Sequence, residues 1–344
     1  MTISPGWQRS VATPGGYAWW YFDALTPAGD ALVCIFFAGA VFSPEYAARL
    51  RRGERALPTE HAAVNLALYR GAGGGSASRQ AAWVMSEYGA VAALGDDELA
   101  IGRSAIERMP DGSYHIRIRE TTAPFMHRFG RPVAGTIRFA PAAAAFEEAA
   151  IATGGTTHAW QALAPRGDVE ADFPELGFRL RGVGYHDRNH GDGRLEDAFA
   201  RWGWARFHQG RRTTILYSFI TRDGKRHALA AAAEADNDPV RPLPATPLGD
   251  GPERALPYGM RMPSSFALDP GPPSGSNLAI APLRCEVTAL LERAPFYARY
   301  RCRLRDGRSG AALGGPDGLG EYLDLDRFRS RWNQFLLRFK THHR

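Results

Sequence analysis

Ser113-Tyr114-His115-Ile116-Arg117-Ile118-Arg119 alternates strictly, with Tyr114, Ile116 and Ile118 on one side and His115, Arg117 and Arg119 on the other. Successive side chains of a β-strand point to opposite faces, so such a run buries one face and wets the other. The alternation returns in Ile215, Tyr217 and Phe219, and again in Tyr300, Cys302 and Leu304 against Arg299, Arg301, Arg303 and Arg305. Many short alternating runs, separated by Gly, Pro, Asp and Asn turns, predict antiparallel sheets closing into barrels or sandwiches. There is no βαβ rhythm and no Gly-rich phosphate loop, so the fold class is all-β.

The 344 residues, 44% hydrophobic and 23% charged, suffice for about two domains with sizeable cores. Cys34, Cys285 and Cys302 lie far apart, which fits a reducing compartment better than a disulfide framework. The opening MTISPGWQRSVATPGGYAWW lacks a basic segment followed by an apolar run, so no signal peptide is expected. The longest apolar stretch, Ala31 to Phe42, is shorter than the ~18–20 residues of a spanning helix and reads as a core strand. The net charge of +6 and pI of about 9.4 suit nucleic acid or an anionic membrane surface. With arginines scattered through strand-like runs and no nucleic-acid motif, the membrane is the better match. A cytoplasmic, peripherally membrane-associated protein is expected.

Gly71 to Ser76 reads as a loop, and Pro141 to Ala150 as one or two helical turns. Residues 237–276, rich in Pro and Gly, read as a long excursion. Near the C-terminus, Leu325, Phe328, Trp332, Phe335 and Phe339 recur at helical spacing, with Asp324 or Asp326 as cap. Arg327, Arg329, Arg331, Arg338 and Lys340 make that helix basic as well as amphipathic. It either docks on a barrel or touches anionic lipid.

Two segments carry the candidate chemistry. In His158-Ala159-Trp160, His158 and Trp160 share a face; in Tyr185-His186-Asp187-Arg188-Asn189, so do Tyr185, Asp187 and Asn189. A carboxyl group walled by aromatic rings loses solvation, keeps its proton near neutral pH and can act as a general acid. Asp187 is therefore the first candidate; the alternative is a structural carboxylate accepting turn hydrogen bonds beside Gly184 and Gly191. His158 could orient or recharge that acid or position water. Trp160 could stabilise a cation through its π-face or simply fill the core, and Trp202 and Trp204 form another same-face pair, for the cavity wall or for ordinary barrel packing. Phe178 and Leu180 place even-numbered residues inward, which would turn Asp187 outward. A bulge or break at Gly182 or Gly184 is expected to reset the alternation, and an uninterrupted strand from Phe178 to Asp187 would count against the site. His186 and His190 have an H-x-x-x-H spacing, but the flanking glycines leave little room for a ligand-bearing helix, so no metal is expected. No G-x-S-x-G elbow supports a Ser/His/Asp hydrolase.

Several stretches together resemble one known family. They are Gly15 to Ala24 (GGYAWWYFDA), Ala38 to Pro44 (AGAVFSP), His61 to Tyr69 (HAAVNLALY), and Tyr185 to Asn189 through Leu195 to Phe199. Ala294 to Arg299 (APFYAR) and Leu323 to Phe328 (LDLDRF) complete the set. The chain resembles, in order and over nearly its whole length, the acyclic carotenoid 1,2-hydratases (hydroxyneurosporene synthases). The resemblance implies two tandem lipocalin-like antiparallel β-barrel domains with a C-terminal helix, divided here as residues 1–192 and 193–344. It implies a cofactor-independent addition of water to a terminal isoprenoid double bond, with an acyclic carotenoid or related polyene as substrate. The family's acid falls on Asp187, and its supporting positions on His158, Trp160 and Tyr185. Arg188 stands where members usually carry His, and His190 where they carry a bulky aromatic, which opens the identity of the substrate. A lipocalin-like terpenoid cyclase or isomerase using the same acid, and a non-catalytic lipophile carrier, are the alternatives.

Overall fold

The computed structural model describes residues 6–71, 78–123, 130–153, 155–234, 242–271, 281–338 and 342–343. Its strands form a 13-stranded curled sheet and a closed barrel of eight strands, the all-β architecture that the alternating runs predict. In the strand Tyr114–Thr121, Ile116 and Ile118 are buried while Arg117 and Arg119 are exposed. The large sheet takes all the strands up to Gly191 and the short C-terminal pair His342–His343. The barrel takes most of those from Phe199 to Asp324.

Three apolar layers hold the molecule together. One face of the large sheet carries Trp20, Phe22, Phe36, Phe139, Phe178 and Leu180. Phe207, Met260, Met262, Phe266 and Tyr300 fill the interior of the barrel. The other face of the sheet, with Trp19, Tyr21, Phe37, Trp160 and Tyr185, packs against the outward side chains Trp202, Trp204, Tyr217 and Phe219 of the barrel. Fully burying a large apolar side chain contributes ~1.5–3 kcal/mol, so this middle layer joins the two sheets firmly. Ion pairs cross it too: Asp23 of the sheet pairs with Arg206 of the barrel. Glu292 of the barrel receives the Tyr69 hydroxyl at 2.9 Å and the Trp83 indole N–H at 2.9 Å.

This layering corrects the expected break in the strand carrying Asp187. The strand Phe178–Gly191 runs uninterrupted, in continuous register with Tyr17–Leu25 from Val183 to Gly191. Its alternation is never reset. Phe178 and Leu180 point into one core, while Tyr185 and Asp187 point to the opposite face, which the barrel covers. Near the start of the strand that second face is open to water, as exposed Arg179 and Arg181 show; further along it is buried. The expectation failed because it allowed the strand only one buried face. The irregularities lie in the neighbouring strand Thr156–Phe173, between Ala162 and Ala164 and between Ala164 and Gly167. There they move the inward pattern from Trp160 and Ala162 on one face to Ala164 and Val169 on the other.

Other local readings shift as well. Pro141 to Ala150 forms no helix. Pro141 ends a strand, and Ala149–Thr153 pairs with the His158 strand, setting Ala149 opposite Trp160 and Ile151 opposite His158. Ladder pairing along an available strand outweighs the helix propensity of alanine. Part of 237–276 lies outside the described residues, but Leu243–Asp250 and Ser265–Asp269 within it are barrel strands rather than an excursion. Pro247 is accommodated at a register shift, where a missing N–H costs little. Gly71 ends a strand, and the remainder of its expected loop lies outside the described residues.

The C-terminal segment forms two short helices, Leu325–Phe328 and Arg331–Arg338. Asp324 caps the first by accepting the Arg327 backbone N–H at 3.2 Å. Leu325, Phe328 and Leu337 are buried, whereas Trp332 is 65% and Phe335 48% exposed. Phe339 and Lys340 lie outside the described residues. No described helix is long and apolar enough to cross a membrane.

Candidate active site

Three antiparallel strands set the acid. In Phe178–Gly191, Asp187 lies opposite Tyr21 on one side and Ala162 on the other, while Asn189 lies opposite Trp19 and Trp160. Residues two apart on each strand converge on the covered face. Asp187 Oδ2 accepts the Tyr185 hydroxyl at 2.7 Å and the Trp160 indole N–H at 3.0 Å, and Oδ1 accepts the Asn189 amide at 2.9 Å. The Trp160 N–H is shared with the Tyr185 oxygen, also at 3.0 Å.

Burial dominates the electrostatics. It raises the Asp187 pKa to about 8, against the opposing pull of the Tyr185 and Trp160 hydrogen bonds; the charges of Glu321 and Asp23 push the same way as burial. At neutral pH the group keeps its proton, and three hydrogen-bond donors are in place around the carboxylate form. Burial also raises the Tyr185 pKa well above its usual value, so Tyr185 remains a neutral donor.

His158 is close but does not bond to the acid. Its Nδ1 meets the Tyr17 hydroxyl at 2.7 Å, and its ring lies 5.0 Å from Trp202 and 5.7 Å from Trp19. It pairs in register with Gly191, and Asn189 stands between it and Asp187. Burial lowers its pKa to about 3, the neighbouring His190 adding to the effect, so the imidazole is neutral. Asn189 acts on the ring in the opposite sense, as a side-chain partner that raises the pKa. Trp204 packs against Tyr185 and Tyr21, with ring centroids at 5.2 and 5.5 Å, and Trp202 packs against Tyr217 at 5.3 Å. The structure thus brings together Asp187, Trp160 and Tyr185 by direct hydrogen bonds, with Trp204 against Tyr185 and His158 and Trp202 alongside.

A cavity of about 90 Å³ opens between sheet and barrel. Of the expected site residues Trp202 lines it, whereas Asp187, Tyr185, Trp160, His158 and Trp204 lie behind its wall, with Tyr21, the strand neighbour of Asp187, at the surface. Trp19, Tyr21, Phe37, Trp202, Phe296 and Leu323 form much of its wall, and Glu321 and Arg299 supply charge at one side. Sequence reading missed Tyr21, Trp19, Glu321 and Arg299. The first two had a signal: every residue of Tyr17–Leu25 is buried, and a run with no polar alternation marks a strand covered on both faces. The charged pair had none, since arginine and glutamate on a barrel exterior ordinarily face water.

The residues that depart from the resembled family lie on the far side. Arg188 sits over the Trp7 ring at 5.3 Å, and His190 bridges Ser10 at 3.0 Å and Glu148 at 3.1 Å. His186 stacks on Phe22 at 3.8 Å with Nδ1 on the Tyr21 carbonyl. Neither histidine points toward Asp187. Among the described residues no cluster of His, Cys, Asp or Glu is arranged to hold a metal.

Fold and site define a class first: an all-β, lipocalin-like protein whose buried acid lies between a sheet and a barrel. An AttH-type protein from Nitrosomonas europaea shares that fold, with a TM-score of 0.58 at 12% identity, over 94% of this chain and 98% of its own. The family model described as carotenoid hydratase CrtC matches residues 34–251. The acyclic carotenoid 1,2-hydratase of Thiocapsa roseopersicina is 35% identical over 95% of this chain and 73% of its own length. That of Rubrivivax gelatinosus is 32% identical over 84% of this chain and 65% of its own. The chain belongs to the CrtC family of carotenoid hydratases.

Proposed function

We propose that this chain hydrates the terminal C1=C2 double bond of an acyclic carotenoid or related isoprenoid, with Asp187 as the acid. The observation that carries the reading is a carboxyl group buried deeply enough to hold its proton at neutral pH, beside an aromatic cavity. The substrate class comes from the relatives, which are named acyclic carotenoid 1,2-hydratases. The cavity is far smaller than the ~300–1,000 Å³ that encloses a drug-sized ligand, so it suits the end of a long chain rather than its whole length.

Asp187 gives its proton to C2, and the tertiary cation forms at C1, the more substituted carbon. Tyr185, Trp160 and Asn189 stabilise the carboxylate left behind. The aromatic faces of the wall, Trp202 among them, stabilise the cation; a desolvated cation–π contact is worth ~2 kcal/mol or more. Water captures C1 and yields a tertiary alcohol. His158, neutral and next to Asn189, the amide that bonds Asp187, is assigned to hold water and return a proton to Asp187 between turnovers.

A polyene substrate is delivered from a membrane, and exposed Trp332 and Phe335, flanked by Arg329, Arg331 and Arg338, suit peripheral contact with anionic lipid. Leu337 of the same helix lines the cavity, which supports delivery of the chain end from that side. Residues 1–192 and 193–344 are read as two domains, with the C-terminal strand returning to the first.

The test is incubation of the protein and its Asp187→Asn variant with lycopene or neurosporene in detergent and H₂¹⁸O, followed by mass spectrometry. A labelled alcohol from the unmodified protein alone supports the reading. An unlabelled isomer would mean that the cation ends by proton loss, and unchanged polyene that copurifies would favour a carrier.

A further inference from the structure

Asp187 supplies one of the two proton transfers that hydration requires; the captured water must lose a proton to some other group. We infer that Glu321 is that group: the general base that takes the proton from water as it bonds to the cation. This rests on the hydratase reading above and assigns the other half of its proton circuit.

Glu321 lies in the strand Gly318–Asp324, opposite Trp204 on one side and Arg299 on the other. Trp204 in turn packs on Tyr185 and Tyr21, the ring neighbours of the acid. The two carboxyl groups are near enough for the charge of Glu321 to act on Asp187. Asp187 is clasped by its donors, whereas Glu321 lines the cavity and keeps 14% of its side-chain surface accessible.

The charge balance singles out Glu321 further. Arg299 serves two carboxylates, reaching Glu292 at 2.8 Å and Glu321 at 3.1 Å. Glu292 is fully engaged, by Trp83 on one oxygen and by Tyr69 and Arg299 on the other. Glu321 Oε1 receives the Arg299 Nε–H, and Tyr297 is a second hydrogen-bond partner of the carboxylate, which faces the cavity with lone pairs to spare for a water proton. Burial pushes the Glu321 pKa up, against the pull of Arg299 and the Tyr297 hydroxyl, which makes it a better proton acceptor than an exposed carboxylate. As a carboxylate sharing one arginine with Glu292, it leaves the trio with one surplus negative charge at the cavity wall. Such a charge, held away from water, favours a cation forming in the cavity and then accepts the proton that hydration releases. The other buried pair in the layer, Asp23 with Arg206, is internally neutral and leaves no surplus.

The step balances. The π pair of C1=C2 forms a C2–H bond with the Asp187 proton, leaving C1 electron-deficient. A lone pair of water forms the C1–O bond, one O–H bond breaks with its electrons staying on oxygen, and that proton goes to Glu321. As product leaves, Glu321 releases the proton to water entering the cavity, and Asp187 is reprotonated. The net reaction is alkene plus water to alcohol.

Two measurements test the assignment. The first needs no substrate: infrared difference spectra near pH 7 read the carbonyl band of protonated buried carboxyl groups. The inference expects Asp187→Asn to remove that band and Glu321→Gln to leave it. Loss of a protonated-carboxyl band in Glu321→Gln would show Glu321 already protonated at rest and would overturn its role as base.

The second follows polyene in D₂O. Glu321→Gln should lose hydration by a hundredfold or more yet still exchange deuterium into the end group, because protonation by Asp187 survives and the cation reverts. Formate added to Glu321→Ala should restore hydration. Hydration within twofold of normal in Glu321→Gln, loss of exchange along with hydration in a folded variant, or no rescue by formate would each overturn the inference. So would the same split phenotype in His158→Gln with Glu321→Gln unaffected, which would assign the proton to His158. If the unmodified protein neither hydrates nor exchanges, the hydratase reading fails, while the spectra still decide the charge state of Glu321.

Discussion

The interior of the closed barrel and the layer outside it are built by the same strands, with opposite results. In Phe199–Gln209, Ala205 and Phe207 point inward to Met260, Phe266 and Tyr300, while Trp204 and Arg206 point outward to the sheet. The inside is packed with side chains at its centre, and a separate cavity of about 180 Å³, lined by Gly203, Ser218, Phe266 and Tyr322, opens at one end. The outside holds the cavity, the acid, and two buried sets of charged residues. A lipocalin-like barrel is expected to hold its ligand within the barrel. Here the outer face carries the buried carboxyl group and its aromatic neighbours, because a second sheet removes that face from water. The candidate site lies where two surfaces meet, and the core of the barrel is scaffold.

The largest expected effect separates activity from stability within the layer. Asp187→Asn should cost ~10²–10⁴-fold in turnover, the usual contribution of a positioned acid. It should also make the protein more stable at neutral pH. The native pKa of about 8 lies above the ordinary carboxylate value of 3.8. The unfolded chain therefore binds fewer protons than the native one between those values, and stability falls as pH rises through that window. Removing the group removes the penalty, on the order of 2–4 kcal/mol near pH 7 and vanishing toward pH 4. Urea unfolding of both proteins at pH 4 and pH 7 measures it. Equal stability at both pH values would mean Asp187 is ionised in the native state and would end its candidacy as acid.

A matched substitution inside the barrel should do the reverse. Phe207 is buried among barrel side chains with no contact to the acid cluster. Phe207→Ala should cost ~3–5 kcal/mol through lost burial and the cavity left behind. Turnover per folded molecule should stay within about twofold of normal, a margin set well below the general-acid effect. A tenfold loss in folded protein would break the contrast between scaffold and site.

What could be read from the chain follows the same division. Strand alternation exposed the shared faces of His158 and Trp160 and of Tyr185 and Asp187, because period-two patterning is local. Whether a face meets water or another sheet is not local. The run Arg179 to Asp187 therefore looked like a single outward face, although its first part is exposed and its last part is covered. Glu321 and Arg299 were invisible for the same reason: on an isolated barrel they would be ordinary surface charges, and only the docked sheet buries them. The Pro-rich segment around Leu243–Asp250 was misread because edge and bulge positions accept proline, which composition alone cannot distinguish from a loop.

The smallest effect is the sharpest about mechanism. The Tyr185 hydroxyl donates to Asp187 at 2.7 Å and holds its pKa down against burial. Tyr185→Phe keeps the ring against Trp204 and Tyr21 and removes that one donor. The acid form should then persist to higher pH, so the alkaline limb of the pH–rate profile, expected near pH 8, should move upward. The maximal rate should nevertheless fall about tenfold, since the departing proton leaves a carboxylate with one stabilising hydrogen bond fewer, worth ~1.5–3 kcal/mol for a charged acceptor. A purely structural Tyr185 would lower rate or stability without moving the limb. A limb that moved downward would mean that the hydroxyl stabilises the protonated acid, reversing the sense of the hydrogen bond between them.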